Sequence, residues 1–245
     1  MQAMADEILY TKHGHVAQIR LNSPPMNLQT LDSMHRLGEL LDEIRRDSSV
    51  RALVLTGEGG RVFCAGSDVK EFPKLRGNFV EEKLRYENQV FDSLAELPVP
   101  TVAAITGSAL GGGLELALCC DIRIMAEDAK LSTPEINLGN FPGSGGPMRL
   151  VKYVGPAFAA EMMCTSRAIG GAEALRRGLV SEVQPRERVT ERAMELAARM
   201  AEKPPELMAA VKELLHASQY ESCGQAAKHA LVRFREAWER ANYEE

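Results

Sequence analysis

Three kinds of signal are missing from this 245-residue chain. The first is an excess of basic charge: 29 Lys+Arg stand against 34 Asp+Glu, a net charge of −5. Such a balance leaves no electrostatic footprint for nucleic acid or an anionic membrane. Paired cysteines are the second. Cys64, Cys119, Cys120, Cys164 and Cys223 are odd in number and contain no C-x-x-C, which argues against a disulfide framework or a structural zinc site. The five histidines show no H-x-x-x-H spacing, and His13 and His15 read as strand-edge residues. The third is a membrane-spanning run. Residues 97–120 carry Glu115 as their sole charge, but Pro98, Pro100, Gly107 and Gly111 to Gly113 interrupt them, and a spanning helix needs ~20 unbroken apolar residues. The opening MQAMADEILY has neither a basic n-region nor an apolar h-region, so no secretory leader is expected. A cytoplasmic protein without nucleic-acid or membrane partners is the expectation.

Familiar catalytic motifs are missing too. There is no G-x-x-x-x-G-K-[ST], no G-x-G-x-x-G after a strand, and Pro142-Gly143-Ser144-Gly145-Gly146 is not a G-x-S-x-G elbow. Cys64 as a nucleophile lacks a marked histidine base. What the chain does have is 45% hydrophobic and 26% charged residues, enough for a sizeable core and incompatible with disorder.

Periodicity organises the rest. His15 to Leu21 alternates as a strand, with Ala17, Ile19 and Leu21 on one face and Val16 off-phase. Leu31, Met34, Leu37, Leu41 and Ile44 recur at helical spacing. Val50 to Thr56 and Thr101 to Thr106 are short apolar runs, hence strands buried on both faces; Asp121 to Ala126 is a third strand, with Ile122 and Ile124 alternating. Helices are predicted near 81–97 and over 114–120. Strands alternating with helices indicate an α/β sheet. From about residue 187, amphipathic segments near 187–201, 205–217 and 222–241 form a helical C-terminal part, giving a division into 1–186 and 187–245. Leu207, Met208, Val211, Leu214, Leu231, Phe234 and Trp238 supply more apolar surface there than a thin subdomain buries, which marks an interface.

A faint echo links two of the strands. Leu55-Thr56-Gly57 and Ile105-Thr106-Gly107 each end a buried run and lead to small residues, Ala65-Gly66-Ser67-Asp68 and Gly111-Gly112-Gly113. Parallel neighbours ending alike would set both loops side by side at the carboxyl edge of the sheet, where open α/β folds bind ligands. Glycine lets a backbone approach a ligand, and the first N–H groups of a helix are free to meet a developing oxyanion. Glu115 then has two readings, a first-turn helix residue favoured by the dipole or a catalytic group. Glu135 likewise is either a helix-start residue beside Pro134 or a general acid/base with a raised pKa.

Three ordered stretches carry a resemblance. RVFCAGSDVKEF (61–72), ITGSALGGGLELALCCDIRI (105–124) and PEINLGNFPGSGG (134–146), with PPMNLQTL (24–31) and ALRRGLVSEV (174–183), resemble the enoyl-CoA hydratase/isomerase family, the crotonases. The resemblance implies a spiral of ββα units within the α/β class, followed by a helical region that builds trimers or hexamers. It implies reversible hydration of a 2-enoyl-CoA, with the thioester enolate held by the backbone N–H groups of Ser67 and Gly112. Glu115 would orient and activate water, and Glu135, 20 residues on as in hydratases, would exchange the α-carbon proton. Ala65, Gly66, Asp68, Val69, Gly111, Pro134 and Gly143 would lie about the acyl-CoA. No metal or redox cofactor is implied, CoA arriving with the substrate. Double-bond isomerisation or a specialised dehydration is the nearest alternative, and a non-catalytic RNA-binding relative a more distant one. Three departures stand out. The Ser23-Pro24-Pro25-Met26 loop lacks a charge, Pro147-Met148 replace Thr-Gln and are expected to reshape the acyl pocket, and most members run past the point where Tyr243-Glu244-Glu245 ends this sequence.

Overall fold

The computed structural model describes residues 6–75 and 77–243. The first five residues of the opening stretch, residue 76 and the terminal Glu244 and Glu245 lie outside it. The two short apolar runs become β3 (Ala52–Gly57) and β5 (Thr101–Ile105), buried along their whole length. They sit at the centre of a six-stranded sheet. Its order is β1 (Ile8–His13), β2 (Val16–Leu21), β3, β5, β7 (Ile122–Ala126) and β10 (Glu182–Gln184), with β1 antiparallel to β2 and every other pair parallel. β1 escapes periodicity because it is an edge strand whose side chains are mostly half-buried or exposed. Val16, off-phase in the alternation, is buried as well.

A second sheet holds β4 (Val62–Cys64), β6 (Ser108–Leu110), β8 (Lys130–Ser132) and β9 (Ile169–Gly170), the first three parallel. Each turn of the chain therefore lays one strand in the large sheet and the next in the small one. The repeated Thr-Gly marks the crossing. A Cβ on Gly57 would lie 2.3 Å from the Phe63 carbonyl oxygen, and one on Gly107 2.2 Å from the Arg61 carbonyl carbon, so only glycine fits where one strand leaves the sheet beneath the next. The echoing loops consequently spring from the carboxyl ends of β4 and β6 in the small sheet, not directly from β3 and β5 as expected.

Helices cover these layers. α1 (Leu31–Arg46) starts at Thr30 with a reciprocal Thr30–Ser33 cap and buries Met34, Leu37, Leu40, Leu41 and Ile44. A single π turn, Val80–Leu84, runs into α2 (Arg85–Ala95), and α3 (Gly112–Leu118) follows β6. α4 (Gly146–Val154), α5 (Pro156–Thr165) and α6 (Gly171–Arg176) fill the interval before β10. The boundary expected at residue 187 falls within the first turn of α7 (Arg186–Ala201), yet α7 lies across β3, β5 and β7 and buries Val189, Ala193, Ala197 and Ala201 in the common core. Small alanines let it approach the sheet closely. The part that stands off is α8 (Pro205–Ala217) with α9 (Cys223–Tyr243), packed on each other. No helix among the described residues is long and apolar enough to cross a membrane.

Candidate active site

The carboxyl ends of β4, β6 and β8 open onto one cavity of about 350 Å³. Ala65, Gly66, Ser67 and Val69 reach it after β4, Gly111 and Gly112 after β6, and Pro134 and Glu135 after β8; Glu115, Gly143 and Ser144 complete its polar side. All the residues assigned from sequence to the catalytic and acyl-CoA site thus meet here except Asp68. Its carboxylate instead accepts the Lys70 N–H at 3.0 Å, closing a turn beside the cavity. Pro147 and Met148 do not line the cavity either, so the reshaping expected from them does not arise by direct contact; Met148 projects from the outer face of α4 and is exposed.

The two glycine-rich loops are in contact. A Cβ on Gly66 would sit 3.0 Å from the Gly112 nitrogen. Between them lies Gln29, almost wholly buried. Its N–H donates to the Gly66 carbonyl at 2.9 Å and its carbonyl accepts the Asp68 N–H at 3.0 Å. In such a parallel bridge the residue between the two partners, Ser67, turns its own N–H the other way. The Gln29 side chain then donates to the Gly112 carbonyl at 3.1 Å, so one residue grips both loops. Gly112 opens α3, where an N–H has no partner one turn back. Neither the Ser67 nor the Gly112 N–H finds a backbone acceptor among the described residues.

Three carboxyl groups share the cavity. Glu115, on α3, does not cap its own helix. Its Oε1 accepts the N–H of Ser144 at 2.9 Å and of Gly146 at 2.7 Å, seating the start of α4. Burial pushes its pKa up to about 7, the neighbouring charges of Glu135 and Glu87 add to the rise, and the two N–H donors oppose it. Both oxygens of Glu135 are shielded from solvent, yet they meet no partner at full hydrogen-bond geometry among the described residues, and burial raises its pKa against the weaker pull of its own backbone N–H. An unsatisfied buried carboxyl is costly, and here it faces the space a ligand would fill. Gly111, with φ +55°, makes room for it: a Cβ there would be 2.9 Å from Glu135 Oε1.

Sequence reasoning passes over the third acid, Glu87 on α2. It is 3% exposed, accepts from the Ser144 and Ser67 hydroxyls, and is held above the usual carboxylate range by burial, against the pull of Ser144, Lys83 and Ser67. A signal exists: Leu84, Glu87, Phe91 and Leu94 recur at helical spacing, which puts an acid in an apolar stripe. The cavity's other side is apolar, with Phe72 and Phe79 edge to face at 4.5 Å beside Leu84, Leu138 and Phe141. Cys64 is no nucleophile: it is fully buried, and its thiol is pushed up to about 12 by that burial.

Comparison with known proteins supplies the family. The profile of the enoyl-CoA hydratase/isomerase family matches residues 11–242. A "Probable enoyl-CoA hydratase" of Bacillus subtilis (strain 168) is 43% identical over 226 residues, 91% of this chain and 87% of that protein. The "Short-chain-enoyl-CoA hydratase" of Clostridium acetobutylicum is 36% identical over 203 residues, covering 82% and 77%. Among solved structures, Pseudomonas aeruginosa DspI superposes with a TM-score of 0.93 at 32% identity, covering 97% of this chain and 98% of that one.

Proposed function

The chain belongs to the enoyl-CoA hydratase/isomerase family, and we propose that it is a hydro-lyase that adds water reversibly to a 2-enoyl-CoA. The observation that carries this reading is the pairing of Glu115 and Glu135 in one cavity with Ser67 and Gly112, whose backbone N–H groups find no backbone acceptor among the described residues. Hydration has to bring an oxygen to the β-carbon and a proton to the α-carbon, and two carboxyl groups divide that labour. Glu115 titrates near neutrality, which suits a base that takes a proton from water. Glu135, raised by burial against the pull of its own backbone N–H, suits the acid that protonates the α-carbon. As the water oxygen bonds to the β-carbon, negative charge collects on the thioester oxygen, where the N–H groups of Ser67 and Gly112 would receive it. The aromatic side would take the acyl chain. CoA comes as part of the substrate, and no further cofactor enters the scheme.

The test is a panel of enoyl-CoA thioesters followed by loss of the conjugated enoyl absorbance. Glu115→Gln and Glu135→Gln should each cut hydration by at least about 10² while substrate still binds, and the double variant should lose far less than the product of the two. A Glu115→Gln protein hydrating at near wild-type rate would move the enzyme to one-carboxylate isomerisation. Self-association is part of the same reading. Leu207, Val211, Leu215, Leu231 and Phe234 on α8 and α9 are exposed, and a trimer or hexamer would cover them. Light scattering that finds a monomer at micromolar concentration would refute it.

A further inference from the structure

The cavity holds more acid than hydration uses. Glu87 Oε1 accepts the hydroxyl of Ser144, and Oε2 accepts that of Ser67 at 3.3 Å. Those serines sit in the two loops on which the chemistry depends. Ser67 lines the cavity with a backbone N–H that has no backbone acceptor among the described residues, and the Ser144 N–H holds Glu115 Oε1 at 2.9 Å. We propose that Glu87 is a positioning residue for hydration, clamping these loops together through both hydroxyls and standing as a third acid group behind Glu115. The inference rests on the hydratase reading, because loop register matters only if those loops act on substrate.

Charge follows from the same geometry. Facing the cluster are Glu115 from α3, Glu135 from the turn after β8, Cys64 from the end of β4, Lys83 from the turn before α2 and Arg149 from α4. Neither cation forms an ion pair with Glu87 among the described residues, though the charge of Lys83 favours the ionised form of Glu87. Lys83 Nζ donates to the Gln29 carbonyl at 2.9 Å and to Glu71 at 3.0 Å; Arg149 donates to the Ser144 carbonyl and to Asp92. Cys64 stays a neutral thiol at the pH of the assay. Burial raises Glu87 and the two hydroxyls directing their protons at it oppose that rise; once Glu87 ionises, its charge opposes ionisation of Glu115. Glu87 therefore adds to burial and Glu135 in setting the pH at which Glu115 begins to work as a base.

The test is the pH profile of kcat/KM for hydration of crotonyl-CoA by the full-length enzyme. Glu87→Gln keeps the side-chain size, removes the charge, and turns one hydroxyl acceptor into a donor. The limb governed by Glu115 should move to lower pH, and kcat should fall about tenfold or more with KM little changed, as loop misplacement costs rate rather than binding. If that variant does not fold, Ser144→Ala replaces it. Losing a hydroxyl donor makes Glu87 harder to ionise, so the limb should move in the same direction while the Ser144 N–H to Glu115 survives. A merely structural Glu87 would lower thermal stability and leave the limb where it is, and that result in either variant overturns the proposal. A wild-type enzyme inactive on every enoyl-CoA removes the hydratase reading and the clamp together. An active wild type with an unmoved limb removes the clamp alone.

Discussion

Replacing Glu115 by Gln is expected to stabilise the protein above neutral pH even as it removes most of the turnover. An ordinary glutamate titrates at 4.5, whereas burial beside Glu135 and Glu87 pushes Glu115 up to about 7. Below pH 4.5 the group is protonated whether the chain is folded or not, and it adds no pH dependence. Between the two values the folded protein retains a proton that the unfolded chain has released, so stability falls as pH rises. Each unit of displacement corresponds to ~1.4 kcal/mol, which makes the loss across the interval about 3 kcal/mol. It is complete by pH 8. Gln cannot ionise, and its carbonyl can still accept the N–H groups of Ser144 and Gly146 that Glu115 Oε1 accepts. The stability difference between variant and wild type should therefore widen by about 3 kcal/mol from pH 4.5 to pH 8, equivalent to roughly 6–12 °C in Tm for a chain of this size. Urea unfolding at fixed protomer concentration measures it. A Glu115 that does no more than seat α4 predicts the reverse, a variant weaker at every pH with turnover per folded molecule intact. Parallel wild-type and variant curves between pH 5 and pH 8 would refute the reasoning.

Two further outcomes separate backbone from side-chain roles in the loops. Gly112→Pro deletes the N–H assigned to the thioester oxygen and should cost ~10²–10³ in kcat; Ser67→Ala keeps its N–H, loses only the 3.3 Å bond to Glu87, and should be far milder, so equal damage in folded protein would give the hydroxyl the larger role. Gln29→Leu keeps the backbone bridge to Gly66 and Asp68 but loses the donation to the Gly112 carbonyl. Steady-state kinetics should show kcat down about fivefold, the worth of one modest hydrogen bond, and an unchanged kcat would mean that the Gly112 peptide needs no such support.

The strands that could be read in advance are those whose surroundings are uniform. β3 and β5 are buried on both faces, so hydrophobicity alone identifies them. The small-sheet strands β4, β6, β8 and β9 have three residues or fewer, too few for any period, and they exist because neighbouring turns of the chain pair them. Their trace in the sequence was indirect: the two Thr-Gly steps are where the chain passes under the next strand. The amphipathic pattern of α7 is the same in kind as that of α8 and α9, so pattern alone groups the three. What distinguishes it is the row Ala193, Ala197 and Ala201, whose missing bulk brings the helix onto the sheet.

The site was legible wherever a motif is local and obscure wherever a partner is distant. Gly111, Gly112 and Glu115 lie within five residues of one another, and their chemistry can be argued from that spacing. Gln29 matters through Gly112, 83 positions away, and Glu87 through Ser144, 57 positions away; no window along the chain contains either pair. Pattern still narrows the field. A glutamate at helical spacing among Leu84, Phe91 and Leu94 has to be buried with them if the helix packs at all, and a buried glutamate needs donors or a proton. The donors it finds are the hydroxyls of the two loops beside Glu115, so the burial that hides Glu87 from a linear reading is also what couples it to the reaction.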